Sequence, residues 1–97
     1  MDCGIDIVQI ERVTRLMQDP DVMERMFHPR EMCDDAESLA GIIAAKEAYF
    51  KAQGRKGDWR SIEVVKDNAG KPSIRGSDCT LSISHDGGYA IAMVVIP

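Results

Sequence analysis

Two carboxylates and a lysine are the first residues to invite a chemical reading. Asp6 stands in Gly4-Ile5-Asp6-Ile7-Val8, and a charge among isoleucines is expensive unless it reaches solvent, pairs with a base or binds a cation. Glu47 follows Lys46 and precedes Lys51 by four residues. That spacing is also the commonest favourable ion pair on a helix surface, worth roughly 0.2–0.5 kcal/mol, so a purely local role is the bland alternative. A hard divalent cation, however, needs few protein carboxylates when substrate phosphates supply the other oxygens. One Asp and one Glu would hold such an ion, and Lys51, a turn further along, would face the same phosphates.

Other combinations are weaker. Ser84-His85-Asp86 has the residue types of a hydrolase triad, but neighbours on a strand point to opposite faces and cannot relay a proton among themselves. His85, at a strand end beside Gly87-Gly88, is better placed as a donor to a bound ligand, against the commoner structural role of a lone histidine. The loop from Gly54 to Gly57 has neither Walker-A nor dinucleotide-fingerprint spacing. Cys3, Cys33 and Cys79 are odd in number, with no CxxC pair and no histidine at zinc-finger distance. They indicate neither a disulfide framework nor a zinc site, and reduced, buried thiols are expected.

Charge narrows the ligand class. The 97 residues carry 12 Lys and Arg against 16 Asp and Glu, a net charge of −4, which argues against a general binder of nucleic acid or of anionic membranes. The excess of acid lies in the first half, whereas Lys51, Arg55, Lys56 and Arg60 surround the single Asp58 in a segment suited to a small anionic ligand. The longest apolar run, Tyr89 to Ile96, falls far short of the ~20 residues of a membrane helix, and a soluble cytosolic protein is expected.

The elements that position these residues follow from periodicity. Gly4 to Ile10 alternates as a strand, and Val13, Leu16 and Met17 recur as a short helix. Asp19-Pro20 caps a second short helix with Val22, Met23, Met26 and Phe27 as its stripe, and His28-Pro29-Arg30-Glu31 opens a capped turn. A long helix is predicted from Ala36 to Ala52, with Leu39, Ile42, Ile43, Tyr49 and Phe50 on one face and Gly54 as its stop. Beyond it the period changes to two around Ile62, Val64 and Lys66. The turn Asp67-Asn68-Ala69-Gly70 returns the chain through Lys71 to Ile74, and Leu81–His85 and Tyr89–Ile96 form two further strands. The last strand is apolar on both faces and should be central. This order predicts one α+β domain over residues 1–97, with the helices on one face of an antiparallel sheet and three or four of its strands in a meander. So small a core predicts an aliphatic interior with methionine filler and favours self-association.

Five ordered blocks then resemble a known family. They are Gly4-Ile5-Asp6-Ile7-Val8 with Ile10 and Arg12; Leu39-Ala40-Gly41 running into Ala44-Ala45-Lys46-Glu47-Ala48 with Lys51-Ala52; Trp59 with Ile62-Glu63-Val64; Gly70-Lys71-Pro72; and Leu81 to Asp86 with Tyr89-Ala90. Together they resemble holo-acyl-carrier-protein synthase, the small trimeric class of 4'-phosphopantetheinyl transferases. The resemblance implies that fold, with a long helix packed on the antiparallel sheet, and an enzyme of fatty acid or related lipid metabolism. Such an enzyme moves the phosphopantetheine arm of coenzyme A onto a serine of an acyl carrier protein, with Mg²⁺, releasing adenosine 3',5'-bisphosphate. By the same resemblance Asp6 and Glu47 hold the metal and Lys51 contacts the phosphates and helps the leaving group. His85 contacts the cofactor across a subunit boundary of a homotrimer, Gly70, Lys71 and Pro72 line the adenine side, and Arg12 faces the acidic carrier helix.

The chain departs from the family pattern in two places. Ile42 stands where the family usually carries an arginine, and Asp34-Asp35-Ala36-Glu37-Ser38 replaces a basic stretch. The chain is also shorter before the long helix and between Lys51 and Trp59. Arg55, Lys56 and Arg60 are the expected compensating bases. The competing expectation is a trimeric paralogue that binds a carrier protein or nucleotide with little chemistry.

Overall fold

Alternating β-branched residues place Asp2–Gln9 in a strand, β1, two residues longer at its start than the pattern predicts. Helix α1 (Ile10–Leu16) follows without a break, and α2 (Pro20–Met26) begins as predicted, with the Asp19 carboxylate accepting from the backbone N–H of Asp21 and Val22. A capped 3-10 turn at Pro29–Glu31 leads to α3 (Ala36–Gln53), which Asp35 caps and Gly54 closes in the left-handed conformation at φ 77°. A second 3-10 turn, Trp59–Ser61, precedes β2 (Val64–Lys66), β3 (Pro72–Ile74), β4 (Thr80–Asp86) and β5 (Tyr89–Ile96). This computed structural model describes all 97 residues.

The expected meander is divided. The main sheet has the antiparallel order β1-β5-β4, while β2 and β3 form a separate two-stranded ribbon. Strands of three residues end in the turn at Ser77, whose N–H donates to the Ile74 carbonyl, so the chain leaves the ribbon before β4 begins. The edge of β5 thus left free is taken by β1, from Asp2 opposite Ile96 to Gln9 opposite Tyr89. Strand β5 is central, as its two apolar faces require. No helix is long and apolar enough to cross a membrane.

Helix α3 covers the inner face of the sheet, where Gly4, Val8, Leu81, Ala90, Ala92 and Val94 are buried. It is buried nearly all round, because α1 and the two 3-10 turns close over its other side; Ile42 and Tyr49, predicted on the apolar face, are only half-buried. The outer face of the sheet has no cover. Ile5, Ile7, Tyr89, Ile91 and Met93 alternate along it, each more than a third exposed, with Ile5 opposite Met93 and Ile7 opposite Ile91. Of the cysteines only Cys79 is buried; Cys3 lies on that outer face and Cys33 in the exposed turn before α3, so the expectation of three buried thiols fails.

Lys46 is the least expected member of the core. It is fully buried, and its three ammonium N–H groups donate to the Met26 carbonyl (2.7 Å), Glu31 Oε1 (2.6 Å) and the Trp59 carbonyl (2.9 Å). Glu31 also accepts from the N–H of His28 (2.7 Å) and of Val64 (2.7 Å). Burial pushes the Lys46 ammonium below its ordinary value of 10.5, and the hydrogen bond and charge of Glu31 act against that. One ion pair thereby ties α3 to the end of α2, both 3-10 turns and β2.

A second clamp holds the ribbon. Glu63, almost wholly buried, accepts from Arg75 Nε (2.9 Å) and Arg30 Nη1 (3.1 Å). The hydrogen bond from Arg75 is the main cause that holds its carboxyl below the ordinary 4.5.

Removing one partner of the buried pair, Lys46→Met, should cost about 3–5 kcal/mol in urea unfolding, because Glu31 is left charged and buried. Unchanged stability would show that the pair does not hold these segments. Glu63 binds fewer protons folded than unfolded in the acid range, so its contribution is present above pH 4.5 and lost as pH falls through the depressed folded pKa. Glu63→Gln should therefore lower the urea midpoint at pH 7 and flatten its decline on acidification. A variant curve parallel to the parent's down to pH 3 would contradict this.

Candidate active site

The site is set by how closely β1 approaches α3. A Cβ built on Gly4 would lie 1.9 Å from the Ala48 carbonyl oxygen and 2.7 Å from the Ala52 nitrogen, so only glycine lets strand and helix meet there. Asp6 lies two residues on, on the same inward face, opposite Ala92. With 16% of its side chain exposed, it meets Lys51 from the last full turn of α3: Lys51 Nζ donates to Asp6 Oδ1 (3.1 Å) and to the Ile5 carbonyl (3.0 Å). Lys51 thus pairs with the strand carboxylate, not with Glu47 four residues earlier, and the local helix pair does not form.

Glu47, half-buried, shares a cleft of about 320 Å³ with Asp6 and Arg12, walled by Val8, Ile43 and Trp59. It also borders a second opening of about 520 Å³ with Lys51, Arg55 and Lys56. The two acids, distant in sequence, therefore stand at one cleft, with three bases immediately beyond Glu47. No group of three or more His, Cys, Asp or Glu side chains is assembled in the chain. The pair fits a hard cation that keeps several water or substrate oxygens, and does not fit an all-protein cage.

The remaining predicted residues lie elsewhere on the same chain. His85 Nε2 is 3.0 Å from the Glu37 carbonyl oxygen and packs on Gly41, where a Cβ would stand 2.9 Å from it. With Gly70 and Pro72 it lines a small cleft of about 100 Å³ between α3 and the ribbon. Lys71, exposed at the turn, is held by its backbone, its N–H donating to Asp67 Oδ1 and its carbonyl accepting from the Asp67 N–H. Gly41 is six residues before Glu47, about 9 Å along the helix axis and on a different side of it. The predicted residues therefore line two separate clefts of the chain.

Of the expected compensating bases, Arg55 and Lys56 reach the Lys51 opening. Arg60 instead lies 3.7 Å from Glu24 in an open cleft beside α2 that holds none of the predicted site residues. Spacing marks Lys46 only as a neighbour of Glu47 and Gly4 only as a strand residue, yet both are structural determinants of the site. A glycine inside an apolar strand is the signal of close backbone approach that marks Gly4.

The chain and its fold correspond to a transferase class. A family model described as the 4'-phosphopantetheinyl transferase superfamily matches residues 2–94. The chain is 44% identical to the holo-[acyl-carrier-protein] synthase of Geobacillus kaustophilus, over 96% of this chain and 85% of that one. It is 40% identical to the enzyme of the same name from Geobacter sulfurreducens, over 96% and 94%. Among solved structures it is similar to the Helicobacter pylori holo-[acyl-carrier-protein] synthase in complex with coenzyme A, with a TM-score of 0.88 and 34% identity over 98% and 99% of the two chains. The Bacillus anthracis synthase in complex with CoA (3',5'-ADP) is similar at a TM-score of 0.85 and 34% identity, over 96% and 92%. This chain belongs to the holo-acyl-carrier-protein synthase family of that superfamily.

Because the site depends on backbone contact, Gly4→Val should destabilise the protein by about 2–3 kcal/mol in urea unfolding. Gly57→Ala, whose added Cβ would meet only Phe50 at 3.4 Å, should stay within about 0.5 kcal/mol. Equal effects of the two would refute the close-approach account.

Proposed function

We propose that this chain moves the 4'-phosphopantetheine arm of coenzyme A onto a serine of an apo acyl carrier protein, with Asp6 and Glu47 holding Mg²⁺ at the cleft they share. The observation that carries the reading is the convergence of a strand carboxylate and a helix carboxylate beside Lys51, Arg55 and Lys56. In the transfer a bond forms between the serine oxygen and the phosphorus bearing pantetheine. The bridging P–O bond of the diphosphate breaks, the serine proton is lost, and adenosine 3',5'-bisphosphate leaves. Such a reaction asks the protein mainly for positioning and charge neutralisation. A bound Mg²⁺ would neutralise charge on the diphosphate. Lys51, anchored on Asp6 and the Ile5 carbonyl, supplies a cation for the departing phosphate, and Arg55 and Lys56 raise the local positive potential. Arg12, exposed at the mouth of the cleft, faces the approaching carrier and its acidic helix.

The uncovered outer sheet face supports a homotrimer of this single catalytic domain. Ile5, Ile7, Ile91 and Met93 form an apolar patch that other copies of the chain would cover. Packing of that kind brings the His85, Gly70, Lys71 and Pro72 half-site of one copy toward the Asp6 and Glu47 half-site of another, which accounts for their separation within one chain. A transferase acting on an acyl carrier protein would serve fatty acid or other carrier-dependent lipid synthesis in the cytoplasm.

With coenzyme A, Mg²⁺ and an apo carrier, mass spectrometry should show the carrier gaining one phosphopantetheine. Glu47→Ala should slow the gain on the order of 10²–10³-fold. In solution the mass should be three times the 10.7 kDa of one chain. Co-refolding Glu47→Ala with His85→Ala should raise activity well above that of either variant alone, through sites that draw one good half from each. Metal-independent binding of carriers without any mass gain would favour the binding-module reading instead.

A further inference from the structure

The strand carboxylate assigned to the metal is already engaged by a cation of the chain itself. Lys51 Nζ donates to Asp6 Oδ1 at 3.1 Å and to the Ile5 carbonyl at 3.0 Å. Asp6 is mostly buried and Lys51 about half exposed, so the pair is screened less than one standing free in water. Glu47, one helical turn before Lys51, is left without an ion-pair partner. Two acids at one cleft are thus held differently, one latched and one open.

The charge around them has the wrong sign for a cation arriving alone. Asp6 and Glu47 share their two openings with Arg12, Lys51, Arg55 and Lys56, four bases against two acids, which leaves a net charge of +2. A free dication must enter this positive field and also displace the ammonium from Asp6. A diphosphate reverses both costs. It brings negative charge to the opening, and its oxygens offer Lys51 a charged acceptor in place of the carboxylate.

We infer that Lys51 is a latch on the metal site: it holds Asp6 until a polyanionic substrate takes its ammonium, so the divalent ion enters with coenzyme A and not ahead of it. The Ile5 carbonyl is the pivot, keeping the ammonium at the cleft while one N–H passes from Asp6 to a phosphate oxygen. Only hydrogen bonds and metal coordination change in the exchange. The inference rests on the proposed function and adds to it the order in which the site is loaded. Metal and nucleotide then raise each other's affinity by one common factor, and part of that factor belongs to Lys51.

The test measures binding of Mn²⁺, a paramagnetic substitute for Mg²⁺, by electron spin resonance, first with the protein alone. Lys51→Met, which removes the charge and keeps a long side chain, should bind the ion about tenfold tighter than wild type, the worth of one charge-assisted hydrogen bond. Lys51→Gln should do the same. Lys56→Gln removes a charge that makes no ion pair with Asp6, and should gain less than about threefold. With saturating coenzyme A, after subtracting the metal that free coenzyme A holds, wild type should bind the ion about thirtyfold tighter than without it, and Lys51→Met only about threefold tighter. Unchanged affinity for the ion alone in both Lys51 variants, or a gain in Lys56→Gln as large as theirs, would overturn the latch. So would a wild type that binds the ion as tightly without coenzyme A as with it. These results would leave the metal site itself in place. If no variant binds the ion under either condition, the metal site of the proposed function falls and the latch falls with it.

Discussion

The contact of helix backbone with strand backbone at Gly4 is the constraint on which the rest of the molecule turns. Two peptide chains come this close only where side chains vanish, and the facing positions are Gly4, Ala48 and Ala52, with Ala90 and Ala92 beside them. That proximity lets Lys51 reach the Ile5 carbonyl and the Asp6 carboxylate across the gap between elements. It also seats Glu47 at the same opening as Asp6. A bulkier seam would hold strand and helix farther apart and leave each charged group to solvent. Packing volume and electrostatic function are therefore set by the same few small residues.

Helix α3 divides its labour by direction. Lys46 points into the interior, where its charge is cancelled by Glu31 and its donors are consumed by backbone carbonyls. Glu47, the next residue, points to the cleft, and Gly41 opens a different side to His85. Buried ion pairs often contribute little net stability against an apolar alternative. Here the pair also satisfies the backbone N–H of Val64 and of His28, so Glu31 serves as a junction where regular secondary structure has run out.

Local elements were legible in the sequence because their signals are local. Asp19-Pro20, His28 to Glu31 and Gly54 act within four residues, and the structure has caps and stops at those places. Strand pairing was not, since nothing in β1 says that its partner lies some 85 residues on, and the meander reading failed there. Asp6 and Glu47 line one cleft and Arg12 lines it with them, a grouping with Arg12 that spacing in the sequence does not express, while His85 lies apart, against Gly41 on another side of α3. Lys46 was invisible as a core residue because charge predicts exposure, and its three acceptors come from segments far apart in the chain.

The adjacency of Lys46 and Glu47 places a limit on how the gene can drift. Adding or deleting one codon within the helix before this pair would rotate everything after it by about 100°. The interior cation would be thrown toward water and the functional acid turned off its cleft together, so two unrelated penalties guard a single reading of length. Alignments with relatives run to 110 and 118 positions against the 97 residues of this chain. By the same double penalty a change of length is tolerated in the connecting loops, where α3 keeps its phase, and not within α3 before Lys46.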